Sequence, residues 1–380
     1  MKNYQMSTFH DLYSNALHLT KYQRTLPAQT HNEFLDFSSN DYLGLSKHPE
    51  LIKSAYEAAL KYGVGSTGSR LISGNFSLLE EFEEKIAADK GTETAIIFNS
   101  GYQANQSILA TLSHEKYLGK KPILFFDKLN HASLYQAAFS NNAELIRYPH
   151  QDLDALVILL DKHSKESRPK FIVTETLFGM DGDVSDVKRL AEIAKQFDAF
   201  LYLDEAHATG VLGKNGYGLS YNLKNCISMG TFSKGLGVSG AYIACSSLLK
   251  KYLINYCPGL IYSTVLSPLV VGAAKAAWEM LPQLEEQRKS LLKMASNLRD
   301  ELHAIGLDTG LSTTHIIPII ILDAERAISM QTQLKKRGIL VSVIRPPSVP
   351  ANGSRLRIAL NTNHTNTDIS MLIQALREVI

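Results

Sequence analysis

Lys234 stands in Gly230-Thr231-Phe232-Ser233-Lys234-Gly235-Leu236-Gly237, with hydroxyl residues before it and glycines after it. Its flanks are small or aromatic and hold no carboxylate. In such a setting a desolvated lysine has a lowered pKa and can act as nucleophile or base. Earlier in the chain an acid closes an apolar run, Phe200-Leu201-Tyr202-Leu203-Asp204-Glu205-Ala206-His207. An acid so placed can keep a pyridinium nitrogen protonated by charge pairing. A Schiff-base lysine, a partner for a ring nitrogen and hydroxyls for a phosphate are what a protein must supply to hold pyridoxal phosphate. Taken singly, Lys234 also reads as a solvated surface charge and Asp204 as a helix cap.

Further residues could complete such a site. Asn99-Ser100-Gly101-Tyr102-Gln103-Ala104-Asn105 leads from an apolar run into the helical pattern Ile108-Leu109-Ala110-Thr111-Leu112. A helix start with a glycine at the corner offers free N–H groups to a phosphate, or is simply a strand–turn–helix corner. His131, just past Phe125-Phe126-Asp127, could stack on a planar cofactor or serve as a structural histidine. His207 is close enough to Asp204 to share its site. The glycines after it (Gly210, Gly213, Gly216 and Gly218) suggest a loop packed near a ligand. Arg355-Leu356-Arg357-Ile358 alternates like a strand, so both arginines face one way, and one could clamp a carboxylate with a bidentate fork or both could lie on a solvated edge strand.

These side chains need a scaffold, and the apolar pattern describes one. Residues 94–98, 122–126, 171–174, 200–203, 226–229 and 241–244 read as buried strands, and Leu190 to Phe197 has helical spacing. Strands separated by helical patterns imply an α/β fold with a mostly parallel sheet covered on both faces. Ligands in such folds bind beyond the carboxyl ends of strands, where Asp127, Glu175 and Asp204 fall. After Ser267-Pro268 the pattern predicts a long helix over 269–305, a strand over 316–321, a helix ending near Gly338 and two strands around Val341 and Leu356. The chain therefore divides into an N-terminal arm (1–45), a large cofactor-binding domain (46–268) and a smaller C-terminal α+β domain (269–380).

Composition narrows the function classes. The chain has 380 residues, 45% hydrophobic and 20% charged, with a formal net charge of +2. That gives no reason to expect nucleic-acid or acidic-membrane binding. Three cysteines without a CxxC pair argue for a reducing compartment and against a disulfide or zinc framework, so no metal site is expected. With no signal-peptide core and no apolar run near the length of a membrane span, a cytoplasmic location is expected.

In their order along the chain, these segments resemble the α-oxoamine synthase family of fold-type I pyridoxal-phosphate enzymes. Phe37-Ser38-Ser39-Asn40-Asp41-Tyr42-Leu43-Gly44-Leu45 is similar to the family's N-terminal signature, and Gly65-Ser66-Thr67-Gly68-Ser69-Arg70 with Ile72-Ser73-Gly74 to its glycine-rich substrate segment. Met180-Asp181-Gly182-Asp183, Asp204-Glu205-Ala206-His207 and Thr231-Phe232-Ser233-Lys234-Gly235 complete the set. The resemblance implies an aspartate aminotransferase-like large domain with a mostly parallel seven-stranded sheet. It also implies a homodimer with shared active sites. Within the family, Ile344-Arg345-Pro346-Pro347-Ser348-Val349-Pro350, Phe98 to Gln106 and Leu260 to Thr264 resemble the biotin-pathway member. That member condenses L-alanine with a pimeloyl thioester, pimeloyl-CoA or pimeloyl-acyl carrier protein, losing carbon dioxide and the free thiol.

Residue by residue, the resemblance makes Lys234 the cofactor lysine and then base and acid. It pairs Asp204 with the pyridine nitrogen, brings His207 to the ring hydroxyl and stacks His131 on the ring. Gly101, Tyr102 and Thr231 hold the phosphate, and Thr264 reaches the phosphate of the neighbouring subunit. Arg357 takes the amino-acid carboxylate, with Asn40 also on the substrate side; Ser348 lines the acyl site and Arg24 its entrance. Two departures stand out: Gly179 replaces a serine common before Met-Asp-Gly, and the arm between Gln29 and Phe34 is short. Alternatives are siblings joining glycine to acetyl-CoA or succinyl-CoA, serine to palmitoyl-CoA, or a longer acyl group to make a signalling amino ketone. A catalytically silent partner subunit is a further alternative, against which stands the retention of Lys234, Asp204, His131 and His207.

Overall fold

The structure is a computed structural model that describes residues 7–19, 21, 23 and 34–380. Its centre is a sheet of seven strands, β1 (Thr94–Phe98), β2 (Ile123–Asp127), β3 (Glu144–Tyr148), β4 (Lys170–Glu175), β5 (Ala199–Asp204), β6 (Cys226–Thr231) and β7 (Ala241–Cys245). They lie in the order β1-β7-β6-β5-β4-β2-β3, and β7 alone runs antiparallel to its neighbours. The reason is connection length. A parallel crossover needs a dozen or more residues, whereas only residues 232–240 separate β6 from β7. The short return places Lys234 at the carboxyl end of β6. It is closed by Phe232 N–H donating to the Gly240 carbonyl (2.9 Å) and Val238 N–H to the Phe232 carbonyl (2.9 Å).

Alternation along each strand sorts side chains onto two covered faces. Ile96, Phe98, Leu124, Phe126, Val173, Tyr202 and Met229 pack against helices Gly101–Leu112 and Ala132–Phe139. The intervening residues face the other way: Ile123, Phe125, Ile172, Leu201 and Leu203 meet helices Leu153–Lys162 and Val187–Gln196, and Ile97 and Tyr242 join a cluster with Phe82, Phe232 and Trp278. Six expected strands are present. β3 was missed because its side chains are only partly covered before Tyr148, so it lacks a continuous apolar run.

A second, antiparallel sheet has the order β9-β10-β8, where β8 is Ile316–Leu322, β9 is Ser342–Ile344 and β10 is Ser354–Ala359. It packs with helices Glu285–Ala304, Ala324–Lys336 and Asn366–Val379, and its core takes in Phe37 and Tyr42. The long helix expected over 269–305 is instead two helices, Pro268–Met280 and Glu285–Ala304, separated by a 3-10 turn at Leu281–Leu284. Pro282 has no N–H to donate and its ring clashes with the preceding turn, so the α pattern cannot run through it. The first of these helices packs on the large-sheet side, through Val271, Ala274 and Trp278.

Of the glycines after His207, Gly210 lies against Gly235, next to Lys234, while Gly213 and Gly218 shape the loop. Gly213 and Gly218 have φ +80° and +90°, and a side chain on Gly218 would run into the Glu205 carboxylate. They let the chain wrap a buried acid. No helix among the described residues is long and apolar enough to cross a membrane.

Candidate active site

β4 and β5 run parallel with Glu175 opposite Asp204, so both carboxyl groups leave the sheet on the same face at its carboxyl edge. Asp204 is buried. Its Oδ1 accepts from Ala206 N–H (2.8 Å) and its Oδ2 from the Asn105 amide (2.7 Å). Asn105 lies on the helix that starts at Gly101 and points inward with Ile108, Leu109 and Leu112. Its Oδ1 accepts from the Tyr202 hydroxyl at 2.9 Å, and its amide also donates to Ser133 Oγ at 2.9 Å. Ser133 Oγ in turn lies 2.7 Å from His131 Nδ1, and the Ser133 N–H donates to the same nitrogen at 3.2 Å. A continuous hydrogen-bonded chain thus runs from Asp204 through Asn105 and Ser133 to His131, which caps helix Ala132–Phe139. Asn105 was not singled out from the sequence. The available signal was a polar residue at the i position of an inward i, i+3, i+4, i+7 stripe.

Lys234 lies beside this chain. Its ammonium makes no hydrogen bond or ion pair among the described residues. Burial pushes its pKa down to about 8, against the pull of Asp204 and Glu175 and with the repulsion of Arg357. Glu175 is buried, and burial with the nearby Asp204 charge holds its carboxyl well above the usual range. His131 is lowered by burial against the attraction of Asp204. His207 is held well below its ordinary value by burial and by the charges of Lys234 and Arg357, so it is neutral at physiological pH.

The β10 arginines face one way, as expected, onto the turn after β4. Arg355 pairs with Asp181. Arg357 is buried; its Nε donates to the Gly179 carbonyl (2.5 Å), and one terminal nitrogen donates to Asn40 Oδ1 (3.0 Å) and the Tyr42 hydroxyl (3.2 Å). Tyr42 also lies 3.0 Å from Asn40 Oδ1 and 2.7 Å from His207 Nδ1, a hub the sequence did not reveal. Gly179 is explained by packing: a Cβ there would overlap the His207 ring. The bare backbone is what admits the imidazole at that point.

At the opposite side Gly101 begins its helix, with the side chain of Ser100 accepting from Gln103 N–H, and its Cα face adjoins Thr231. Thr231 donates to the Gly240 carbonyl (2.8 Å), with Ser233 Oγ 2.8 Å away, and Tyr102 is exposed. Thr264 is exposed; it bridges Ser69, and its carbonyl accepts from Asn99 at 2.7 Å. Ser348 is exposed in the turn joining β9 to β10, with its N–H on the Arg345 carbonyl. Arg24 and residues 29–33 of the arm lie outside the described residues. Asp127, at a third strand end, belongs to a separate cluster: it lies 3.0 Å from His150, whose other nitrogen is 2.7 Å from Asp183.

The donor set fits pyridoxal phosphate. An amine of lowered pKa without a partner suits an aldehyde, and a buried carboxylate fixed by two N–H donors suits a protonated ring nitrogen. The helix start beside the Thr231 and Ser233 hydroxyls suits a phosphate.

Comparison with known proteins agrees. The sequence model of the family described as aminotransferase class I and II matches residues 32–376. A protein of Paramagnetospirillum magneticum, provisionally named 8-amino-7-oxononanoate synthase, is 49% identical over 348 residues, covering 92% of this chain and 89% of its own. A crystal structure of 8-amino-7-oxononanoate synthase from Francisella tularensis superposes with TM-score 0.78 at 28% identity, covering 91% of this chain and 97% of that one. A serine palmitoyltransferase structure containing pyridoxal phosphate superposes with TM-score 0.88 at 27% identity, covering 99% and 98% of the two chains.

Proposed function

This chain belongs to the class I and II aminotransferase family and, within it, to the group of 8-amino-7-oxononanoate synthases; from that premise we propose that it is a pyridoxal-phosphate-dependent acyltransferase that condenses L-alanine with a pimeloyl thioester. The products are 8-amino-7-oxononanoate, carbon dioxide and the free thiol, in the service of biotin synthesis. The observation that carries the chemistry is Lys234, an amine with pKa about 8 and no partner among the described residues, set beside Asp204.

Bound there, pyridoxal phosphate supplies an electron sink for the pair left at the amino-acid Cα when its proton is removed. Lys234 holds the cofactor and later removes and returns the Cα proton, since its amine is partly neutral near pH 8. Asp204, fixed by Asn105 and Ala206, keeps the ring nitrogen protonated. His131 would cover the ring, and neutral His207 would serve its hydroxyl. Gly101, Tyr102 and Thr231 hold the phosphate. Arg357 is braced by Gly179, Asn40 and Tyr42 through Nε and one terminal nitrogen, which leaves its other terminal nitrogen to take the alanine carboxylate, in place of the bidentate fork expected from the strand. A carboxylate held there would fix how the amino-acid Cα is presented to Lys234. Ser348 lines the acyl path.

The enzyme acts as a homodimer with Thr264 serving the neighbouring subunit's phosphate, in the cytoplasm. The exposed apolar side chains of Val64, Leu71, Ile72 and Tyr262, on segments tied to Thr264 through Ser69 and Ser267, support a covered surface there. A second reading, serine with a palmitoyl thioester, is favoured by the higher TM-score to serine palmitoyltransferase. The 49% identity to the alanine-type relative outweighs it. A product assay decides: L-alanine, glycine and serine are each offered with acetyl, pimeloyl and palmitoyl thioesters. The expected product is 8-amino-7-oxononanoate from L-alanine and the pimeloyl thioester; preferential turnover of serine with palmitoyl thioester refutes the proposal.

A further inference from the structure

Tyr42 sits where three parts of the site meet. It is fully buried, burial raises its hydroxyl pKa despite the Arg357 charge, and so the hydroxyl keeps its proton. That single proton has two candidate acceptors, Asn40 Oδ1 at 3.0 Å and His207 Nδ1 at 2.7 Å. Arg357, which cannot accept, donates to the hydroxyl oxygen from 3.2 Å.

Distances separate the possibilities. A hydroxyl donor has its commonest length at about 2.7–2.8 Å and reaches about 3.0 Å only at its limit. The 2.7 Å contact with His207 has the length of an O–H donor, and the 3.0 Å contact with Asn40 is long for one. Asn40 Oδ1 also accepts from Arg357 at 3.0 Å. Donation from Arg357 into the hydroxyl oxygen polarises the O–H bond and strengthens its donation onward.

We infer that Tyr42 is a positioning residue that selects the His207 tautomer, donating its proton to Nδ1 so that Nε2 carries the hydrogen. Nε2 is the ring atom nearest the place a Gly179 side chain would occupy, so the glycine leaves that hydrogen unobstructed. On the functional reading above, from which this inference takes its purpose, the hydrogen is a donor for the cofactor's ring oxygen. The arrangement also joins the carboxylate clamp to the ring: Arg357, Tyr42 and His207 form one directed chain of hydrogen bonds.

The test is 15N NMR of histidine-labelled enzyme, with and without pyridoxal phosphate, in wild type and Tyr42→Phe, His207 being assigned by its loss in His207→Gln. The expected result is Nδ1 unprotonated and Nε2 protonated in wild type in both states, and a mixture of tautomers in Tyr42→Phe. A roughly fivefold to tenfold fall in kcat should accompany it, the worth of one hydrogen bond. A protonated Nδ1 in wild type, or an unchanged tautomer in Tyr42→Phe, overturns the inference. The NMR result does not depend on turnover, so failure of the substrate assignment leaves it standing and is told apart from it.

Discussion

Lys90 and Glu205 form an ion pair from which water is wholly excluded, next to Asp204 in sequence. The two ends of the pair are unequally supported. Lys90 has one other acceptor, the Tyr217 carbonyl at 2.7 Å. Glu205 has three other donors, Leu219 N–H at 2.5 Å, Ser220 N–H at 2.9 Å and Ser220 Oγ at 2.7 Å. Removing one member of a buried pair costs about 3–5 kcal/mol because the other charge is stranded. Lys90→Met leaves a carboxylate that still accepts three hydrogen bonds and should fall at about 3 kcal/mol. Glu205→Leu strands the ammonium and three donors together and should fall at about 5 kcal/mol or beyond, each orphaned donor adding to it. The double variant removes both charges and should be less destabilised than Glu205→Leu alone. Urea unfolding of the holoenzyme, followed by circular dichroism, reads all three. Single variants within about 1 kcal/mol of wild type, the level of an ordinary surface change, would refute the reasoning. So would Lys90→Met costing more than Glu205→Leu.

Three other outcomes are expected. Asn105→Ala leaves the Tyr202 hydroxyl and one Asp204 oxygen without their partner, so kcat should fall by about one to two decades, and an unchanged kcat contradicts the Asp204–Asn105 link. In cofactor-free enzyme, Lys234 should be modified by an amine-reactive aryl fluoride with a midpoint near pH 8, ahead of solvent lysines titrating near 10.4; peptide mapping that shows no preference for Lys234 counts against its lowered pKa. Burial pulls His150 down, but hydrogen bonds to Asp127 and Asp183 outweigh it and raise its pKa to about 10. A group raised on folding contributes in full below its unfolded pKa, about 6.5, and loses that contribution as pH climbs through about 10. Unfolding free energies at pH 6, 8 and 10 should therefore decline less in His150→Gln than in wild type; equal slopes contradict the assignment.

The parts of the molecule governed by local pattern could be read before the structure. Continuous apolar runs announced the buried strands, and their ends announced Asp204. The short segment between Met229 and Ala241 already carried the flanks that mark Lys234. Arg355 and Arg357 share a face because of strand alternation alone. What could not be read depends on contacts between distant segments. Tyr42 reaches His207 and Arg357 across long stretches of chain, and no spacing encodes that. Gly179 looked like a missing hydroxyl and is instead the room that His207 occupies. The break at Pro282 was legible in principle, since proline ends an α pattern, but the apolar spacing on both sides of it masked the stop. β3 escaped because a partly covered edge strand carries little hydrophobic signal.

The central claim is that Lys234 is the amine that holds pyridoxal phosphate. The most direct measurement is borohydride reduction of the holoenzyme followed by proteolysis and mass spectrometry. A pyridoxyl group is expected on the peptide containing Thr231-Phe232-Ser233-Lys234, and none in Lys234→Ala, which also loses turnover. A pyridoxyl group on another lysine of the wild-type chain, or a Lys234→Ala enzyme that still condenses its substrates, would contradict it.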